Sequence, residues 1–423
     1  MKLCLFITVL FFSFFTSKAQ TDNSYNALIA EASLFHLQKD YKNAIITFEK
    51  AFALQKPDAL NAFKTAGAYA LANNKNEAFR YLNTALEEGW TETDALLIDP
   101  YFDFLQKNYS DEWKLIVEKS TLNEKQYAKT LKFPALREHI NLMTIQDQRI
   151  RFAKSHTNDI DQIKALNEQI NTLDLKNLIE AKEIVKKYGW PKISEIGKDG
   201  QNNFWLLVQH ADHDIRFQKM ALSKMQKWLG TKEIDLENYV FLYDRVQCNL
   251  NYKQTYGTQV NWTTNGKASS FRPIIKEDSV DKRRADFGLL PLHIYALNYG
   301  FSYSKISSEE ALKNDAKDLD DALQLIKEAK KFYKAKEFQK VYDNYNNASM
   351  IQGGMSSEQN YKAALLFAKI YNQAKEEQYK SIALDFLKLL FYREDLNKKK
   401  LISENEFKSF YDEKRWQEMI NEI

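Results

Sequence analysis

Residues 41–51, YKNAIITFEKA, are followed 34 positions later by the similar stretch KNEAFRYLNTA at residues 75–85. The residues that recur in register are Ala44 and Ala78, Phe48 and Leu82, and Ala51 and Ala85. The same offset relates the preceding segments, in which Ala32 and Phe35 recur as Ala66 and Tyr69. Small residues let two helices cross closely, and large apolar residues fill the gaps between them. The period therefore predicts a module of packed helix pairs, which we place at residues 20–120.

This pattern resembles the tetratricopeptide repeat, whose period is also 34 residues. The signature is degenerate, because the Trp-Leu-Gly opening is absent from both copies and Pro57 lies one position late for the closing proline. About three repeats are needed to bury a continuous core, so we expect the two copies to pack on the segment that follows them. The resemblance leaves open whether the module is a concave protein-binding face or a helical buttress.

The same offsets return near the carboxy terminus. Phe332, Val341, Tyr345 and Ala348 are spaced like Phe35, Ala44, Phe48 and Ala51, and Ala383, Leu387 and Leu390 are spaced like Ala78, Leu82 and Ala85. We therefore predict a second helical repeat module at residues 306–423. The expected fold class is mainly α, with tetratricopeptide-like helical hairpins flanking a helical central domain that contains one small β-hairpin.

The amino terminus has the pattern of a secretory signal peptide. Lys2 precedes a largely apolar run at residues 3–15, and Ser17-Lys18-Ala19 has the spacing of a cleavage site. We expect cleavage after Ala19 and export to the periplasm or the cell exterior. The apolar run is too short to span a bilayer. We expect the mature chain, after removal of the signal peptide, to have no membrane span. Cys248 is then the only cysteine, which excludes an internal disulfide.

The charge balance argues against nucleic acid as a partner. The chain has 60 basic and 57 acidic residues, giving a formal net charge of +3. A nucleic-acid-binding protein normally shows a strong basic excess. We expect any partner to be a protein held by the helical repeats.

The central domain, at residues 131–305, opens with an apolar stripe that ends in a carboxylate. Leu136, Ile140 and Met143 follow helical spacing, and the next position on the same face is Asp147. Because a buried unpaired charge is costly, we expect Asp147 to pair with an arginine such as Arg245 or Arg284, or to face a cavity.

The motif Gln209-His210-Ala211-Asp212 follows the apolar run at residues 204–208. Imidazole beside carboxylates suits proton transfer or metal binding, but the spacing matches no metal motif and we predict no metal site. Asp212 or Asp214 is expected to cap the next helix. His210 is either a general acid or base or a core histidine with satisfied hydrogen bonds.

After Asn249 the apolar residues recur at every second position, and this spacing predicts a β-hairpin. Val260 and Trp262 alternate, Asn265-Gly266 favours a tight type I′ turn, and Phe271 is expected opposite Val260.

Several motifs in the central domain occur together in a fixed order. They are Asp147-Gln148 with Arg151, Gly189-Trp190-Pro191, Gln209-His210-Ala211-Asp212, Asp244-Arg245, Gln254 with Tyr256-Gly257-Thr258-Gln259, and Arg284 followed by Gly288-Leu289. In this order they resemble a bacterial domain family of unknown function over residues 131–295. The resemblance implies that this domain is common in exported proteins. The family has no established catalytic residues that could be assigned to this sequence.

We hypothesise that polar residues from these motifs converge on one pocket. His210 would act as acid or base, Asp147 would orient it, and Arg245 or Arg284 would anchor an anionic group. The other ligand-binding candidates are Asp212, Tyr256 and Gln259. The sequence identifies no cofactor.

Two functions follow from these observations. The first is an exported tetratricopeptide-like protein that binds a protein or ligand and carries an uncharacterised central domain. The alternative is an enzyme, a hydrolase with acid/base chemistry at His210. The chain contains no Gly-x-Ser-x-Gly, phosphate-loop or His-Glu-x-x-His motif, so the residues leave open whether it is an enzyme.

Overall fold

A computed structural model describes residues 23–263 and 266–423. The predicted signal peptide and Asn265 of the predicted turn lie outside this part of the chain. The chain divides into two compact units. Of the described residues, unit 1 comprises 23–243, 260–263, 266–271 and 281–305, and unit 2 comprises 244–259, 272–280 and 306–423.

The described fold is mainly α with one two-stranded antiparallel sheet, which confirms the predicted class. The first twelve helices are α1 (Asn23–Leu37), α2 (Tyr41–Phe52), α3 (Ala59–Leu71), α4 (Lys75–Glu87), α5 (Thr93–Ile98), α6 (Asp103–Asn108), α7 (Ser110–Ala128), α8 (Pro134–Ser155), α9 (Ile160–Tyr188), α10 (Ile193–Gln209), α11 (Ile215–Gln226) and α12 (Leu236–Asn249). The later elements are β1 (Val260–Trp262), β2 (Ala268–Phe271), α13 (Val280–Asp286), α14 (Leu292–Tyr295), α15 (Ser308–Lys334), α16 (Phe338–Met350), α17 (Ser357–Ala374), α18 (Glu377–Arg393), α19 (Lys398–Ser403) and α20 (Lys414–Glu422).

The amino-terminal helices pack as pairs, α1 with α2 and α3 with α4. Asp40, Asp58 and Asn74 cap α2, α3 and α4, each accepting a backbone N–H three residues ahead. Ala44 and Ala78 are fully buried, as their shared position in the predicted period requires. These helices therefore associate through their small-residue faces.

Helices α8, α9 and α10 pack against one another and hold the candidate site. Helix α9 ends at Gly189, which has a φ of 73°, and the helix cannot continue through Pro191. Helix α10 is broken at Gly197, which has a φ of 80° and lies where a Cβ atom would approach the Tyr127 hydroxyl to 2.7 Å. Beyond this break, a regular apolar segment ends at His210.

The predicted β-hairpin forms with the expected pairing. Val260 lies opposite Phe271, which confirms the predicted register. A bulge follows between Asn261 and Trp262. The ring of Phe271 stacks on Tyr295 with their centroids 5.9 Å apart, so the hairpin is anchored within unit 1 by aromatic contacts.

Unit 2 is built mainly from two helix pairs, α15 with α16 and α17 with α18. Its core contains Val341, Tyr345, Phe367 and Leu387. The buried guanidinium of Arg393 donates to the carbonyl oxygen of Leu250 at 2.9 and 2.7 Å. This contact fixes the end of α18 to the segment after α12.

Among the described residues, every helix is too short or too polar to cross a membrane.

Candidate functional site

Asp147 lies on α8 with its side chain only 1% exposed, as the apolar stripe predicted. Its arginine partner is Arg151, one turn further along the same helix, and not Arg245 or Arg284 as the sequence suggested. Nε of Arg151 donates to the two carboxylate oxygens at 3.0 and 3.1 Å. Gln148 donates a further hydrogen bond at 2.7 Å. The i, i+4 spacing places both charges on one helix face, so the pair forms locally.

Asp174 on α9 completes the ion-pair group. Nη2 of Arg151 contacts Oδ1 of Asp174, whose side chain is 11% exposed. Arg151 therefore links two carboxylates from neighbouring helices, and its own side chain is 2% exposed. A guanidinium suits this position because its fork of donors meets both acids at once.

His210 reaches the same group from the end of α10. Its Nδ1 atom lies 3.1 Å from Oδ2 of Asp147, although the two atoms are not aligned for a hydrogen bond. The imidazole is 13% exposed, whereas Asp147 beneath it is almost fully covered. A partly exposed imidazole therefore lies in contact with a buried carboxylate, which is a pairing used in acid/base chemistry.

The charges keep Asp147 ionised. Burial raises the pKa of Asp147, but His210 and Arg151 outweigh that effect and lower it to about 2. Burial raises the pKa of Asp174, against the opposing charge of Arg151.

Asp147, Asp174 and His210 bring potential metal ligands close together. Oxygen atoms of Asp147 and Asp174 and a ring nitrogen of His210 lie within 4.8 Å of one another. Arg151 already contacts both carboxylates, and its charge would repel a cation placed between them. The arrangement therefore fits an arginine-bridged acid pair better than a metal centre.

Asp244 forms a second polar centre, in unit 2. Its fully buried carboxylate accepts backbone N–H groups from Thr255, Tyr256 and Thr258 at 2.7 to 3.1 Å, as well as the Thr258 hydroxyl. Burial raises its pKa, and these donors oppose the rise. Asp244 thus holds the loop that carries the Tyr-Gly-Thr-Gln motif, a role that the sequence analysis missed.

Gln254 holds the other end of this loop. Its side chain accepts the N–H of Gln259 at 2.8 Å and donates to the carbonyl oxygens of Gln259 and Arg272 at 2.9 and 2.7 Å. Two of the predicted ligand-binding residues, Tyr256 and Gln259, therefore lie on a loop whose backbone is fixed by buried polar side chains. Arg245 is half-buried on α12 in the same unit.

Residues 134–304 match the model of a family of unknown function, DUF6624. The matched segment contains both polar centres, and it agrees with the resemblance inferred from the motifs. Neither a curated protein nor a solved structure matched the chain.

The side chains of Arg284 and Asp212, which also lie in the DUF6624 segment, each contact other residues of the same chain. Arg284 is 1% exposed, donates from Nε to the carbonyl oxygen of Leu290 at 2.5 Å and lies 4.8 Å from the ring centre of Tyr295. Asp212 accepts a hydrogen bond from Gln218 at 3.2 Å. The N-cap of α11 is Asp214, which accepts the N–H of Phe217 at 3.0 Å.

A third polar group surrounds Arg137 on α8, and the sequence analysis did not identify it. The guanidinium donates to Asp199 at 2.7 Å and to Glu124 at 2.8 Å. Burial and Asp199 raise the pKa of the neighbouring Glu92 to about 8. A cavity of about 20 Å³ beside Glu92 has room for one water molecule. A signal was present, because the buried polar residues of α8 follow helical spacing; they are Arg137, Asn141, Thr144, Asp147 and Arg151.

The lowered pKa of Asp147 predicts a pH dependence of stability. A carboxyl group whose folded pKa lies below its usual value of 3.8 stabilises the fold above that pH. We expect this contribution, roughly 2 kcal/mol, to be lost as the pH falls from about 4 through about 2. Urea unfolding at stepped pH should show a steeper loss for the wild type than for Asp147→Asn. Equal slopes below pH 4 would contradict the assigned ion pair.

Proposed function

We propose that the protein is an exported helical-repeat protein that binds another protein, with the DUF6624 segment between its two repeat modules. Residues at equivalent positions of the 34-residue period support the repeats. Ala51 and Ala85 are at most 1% exposed, as are Phe48 and Leu82. Such positions are where paired helices of a repeat approach each other.

The amino-terminal module serves as a buttress in this proposal. Residues 61–70 of α3 are buried throughout. A Cβ atom at Gly67 would approach the Tyr101 ring to 3.2 Å, so the chain itself covers this face. The face leaves no room for a partner.

The carboxy-terminal module provides the binding surface in this proposal. The observation that supports protein binding is a cavity of about 180 Å³ beside α18 and α20. Phe391 and Tyr392 supply aromatic surface, while Lys388 and Glu418 supply charges of both signs. This combination fits a peptide segment with an apolar side chain between charged residues, because aromatic anchors supply most of the binding energy at such sites.

The binding proposal is tested with peptides selected from a random phage-displayed library against residues 20–423. We expect micromolar peptides whose affinity falls about tenfold in Lys388→Glu, because Lys388 lines the cavity and is exposed. Fluorescence anisotropy would measure the affinities. Lys408→Glu, an exposed lysine outside the cavity lining, is the matched control. Selected peptides that bind both variants equally would contradict the assignment.

A second candidate function is acid/base catalysis at His210. It is favoured by the 3.1 Å approach of His210 Nδ1 to the buried Asp147 carboxylate. Cys248 does not offer an alternative nucleophile, because it is buried and burial raises its pKa to about 11. Hydrolysis with His210 as general base is the reaction class that this geometry suits best.

His210→Ala separates the catalytic role from a structural one. Asp147 keeps Arg151 and Gln148 as partners in this variant, so we expect the thermal midpoint to change by less than about 2 °C. A hydrolase activity found by substrate screening should fall at least about a hundredfold. His213→Ala, an exposed histidine three residues away, is the control. A marked fall in midpoint without loss of activity would assign His210 a structural role.

A further inference from the structure

Helix α15 carries a row of exposed apolar side chains on one face. Leu312, Leu319 and Leu323 are 70%, 45% and 43% exposed, and Ala316 is exposed between them. The spacings of four, three and four residues are those of a coiled-coil seam. Exposed leucines aligned in this way are characteristic of an interaction surface, whereas scattered ones are not.

A different face of α15 holds the helix to unit 2. Ala311 and Ala322 are buried, and Nζ of Lys253 contacts Asp315 and Asp318 at 2.6 and 2.7 Å. The leucine row therefore does not contribute to this attachment. It is available to a second helix.

We propose that a second copy of the chain docks on this row, with the two α15 helices antiparallel about a two-fold axis. The row is symmetric in sequence, because Leu312 and Leu323 lie at equal distances from its centre, as do Ala316 and Leu319. In an antiparallel pair, Leu312 meets the partner's Leu323 and Ala316 meets the partner's Leu319. The surface is thus self-complementary, as a two-fold interface must be.

The charges beside the row agree with this pairing. Lys313 and Asp320 flank the row on the side away from Lys253, and both are exposed. In the antiparallel register, each Lys313 faces the partner's Asp320, so opposite charges meet twice. Parallel pairing in register would place like charges at the same level, which disfavours it.

Sedimentation velocity of residues 20–423 tests the association. The contact is shorter than a standard interface, so we expect a reversible dimer with a dissociation constant of about 10 to 100 μM. Leu319→Asp should weaken it at least about tenfold, because it places two carboxylates in the seam. Leu122→Asp, at a leucine of α7 that is 55% exposed, should not. A wild type that stays monomeric at about 500 μM, or equal effects of both variants, would overturn the proposal.

Charge exchange tests the register independently of folding. Lys313→Asp and Asp320→Lys should each weaken the dimer, because like charges then meet twice, and the double variant should restore it. Failure of the double variant to regain association would overturn the antiparallel register. The leucine row is separate from the cavity lining, so peptide binding should be unchanged in these variants. The two proposals can therefore fail independently.

Discussion

Replacing Arg151 by alanine is expected to lower the free energy of unfolding by about 3 to 5 kcal/mol. The reason is that two carboxylates, those of Asp147 and Asp174, share this one guanidinium as their buried cation. Removing one partner of a buried ion pair leaves charge uncompensated in a medium that solvates it poorly. The change would be measured by urea unfolding followed by circular dichroism at pH 7.

Arg149→Ala is the matched control, because Arg149 lies on the same helix and is exposed. It should change stability by less than about 0.5 kcal/mol. Arg151→Lys should fall between the two, since it keeps the charge but loses the fork of donors. An Arg151→Ala variant as stable as the Arg149→Ala control would show that the buried acids do not need this partner.

The second large effect is expected for Asp244→Ala. This change removes the acceptor for three backbone N–H groups and one hydroxyl, all inside unit 2. Each buried donor left without a partner costs about 1 to 3 kcal/mol. We expect a loss of at least about 3 kcal/mol and faster hydrogen exchange at residues 255, 256 and 258.

Asp412→Ala, an exposed acidic residue of the same unit, provides the comparison. Asp244→Asn should lie between the two, because the amide keeps one acceptor oxygen but turns an N–H donor toward the loop. Unchanged exchange at the three loop amides in Asp244→Ala would mean that the carboxylate does not hold the loop.

Local features of the fold were predictable because they depend on neighbouring residues. The end of α9 at Gly189 follows from a glycine before a proline, and the pairing of Val260 with Phe271 follows from strict alternation. The cap at Asp214 was one of two candidates. In each case the determining residues lie within a few positions of one another.

The partner of Asp147 could not be derived from the stripe alone. Helical periodicity indicates which face is buried, but it does not say which of several arginines meets a carboxylate. Arg151 lies on the same face, and an i, i+4 pairing rule applied at Asp147 would have selected it. Distant arginines were favoured because the sequence offers no measure of their distance.

Asp244 was missed for a different reason. It lies off the apolar stripe of α12, and a residue there is expected to face solvent. The chain returns after Asn249 and covers it with the loop at residues 254–259. The burial of Asp244 depends on a segment that comes later in the chain. The periodicity of α12 alone therefore could not predict it.

The interleaving of the two units limits how this gene can recombine. The chain passes between them at residues 243/244, 259/260, 271/272, 280/281 and 305/306. A single crossover between codons 244 and 305 would supply both units with segments from two different parents. Even an exchange at codon 306 would separate Arg393 from Leu250, which lies 143 positions earlier and accepts its hydrogen bonds. We therefore expect the DUF6624 segment and the carboxy-terminal helices to be inherited together.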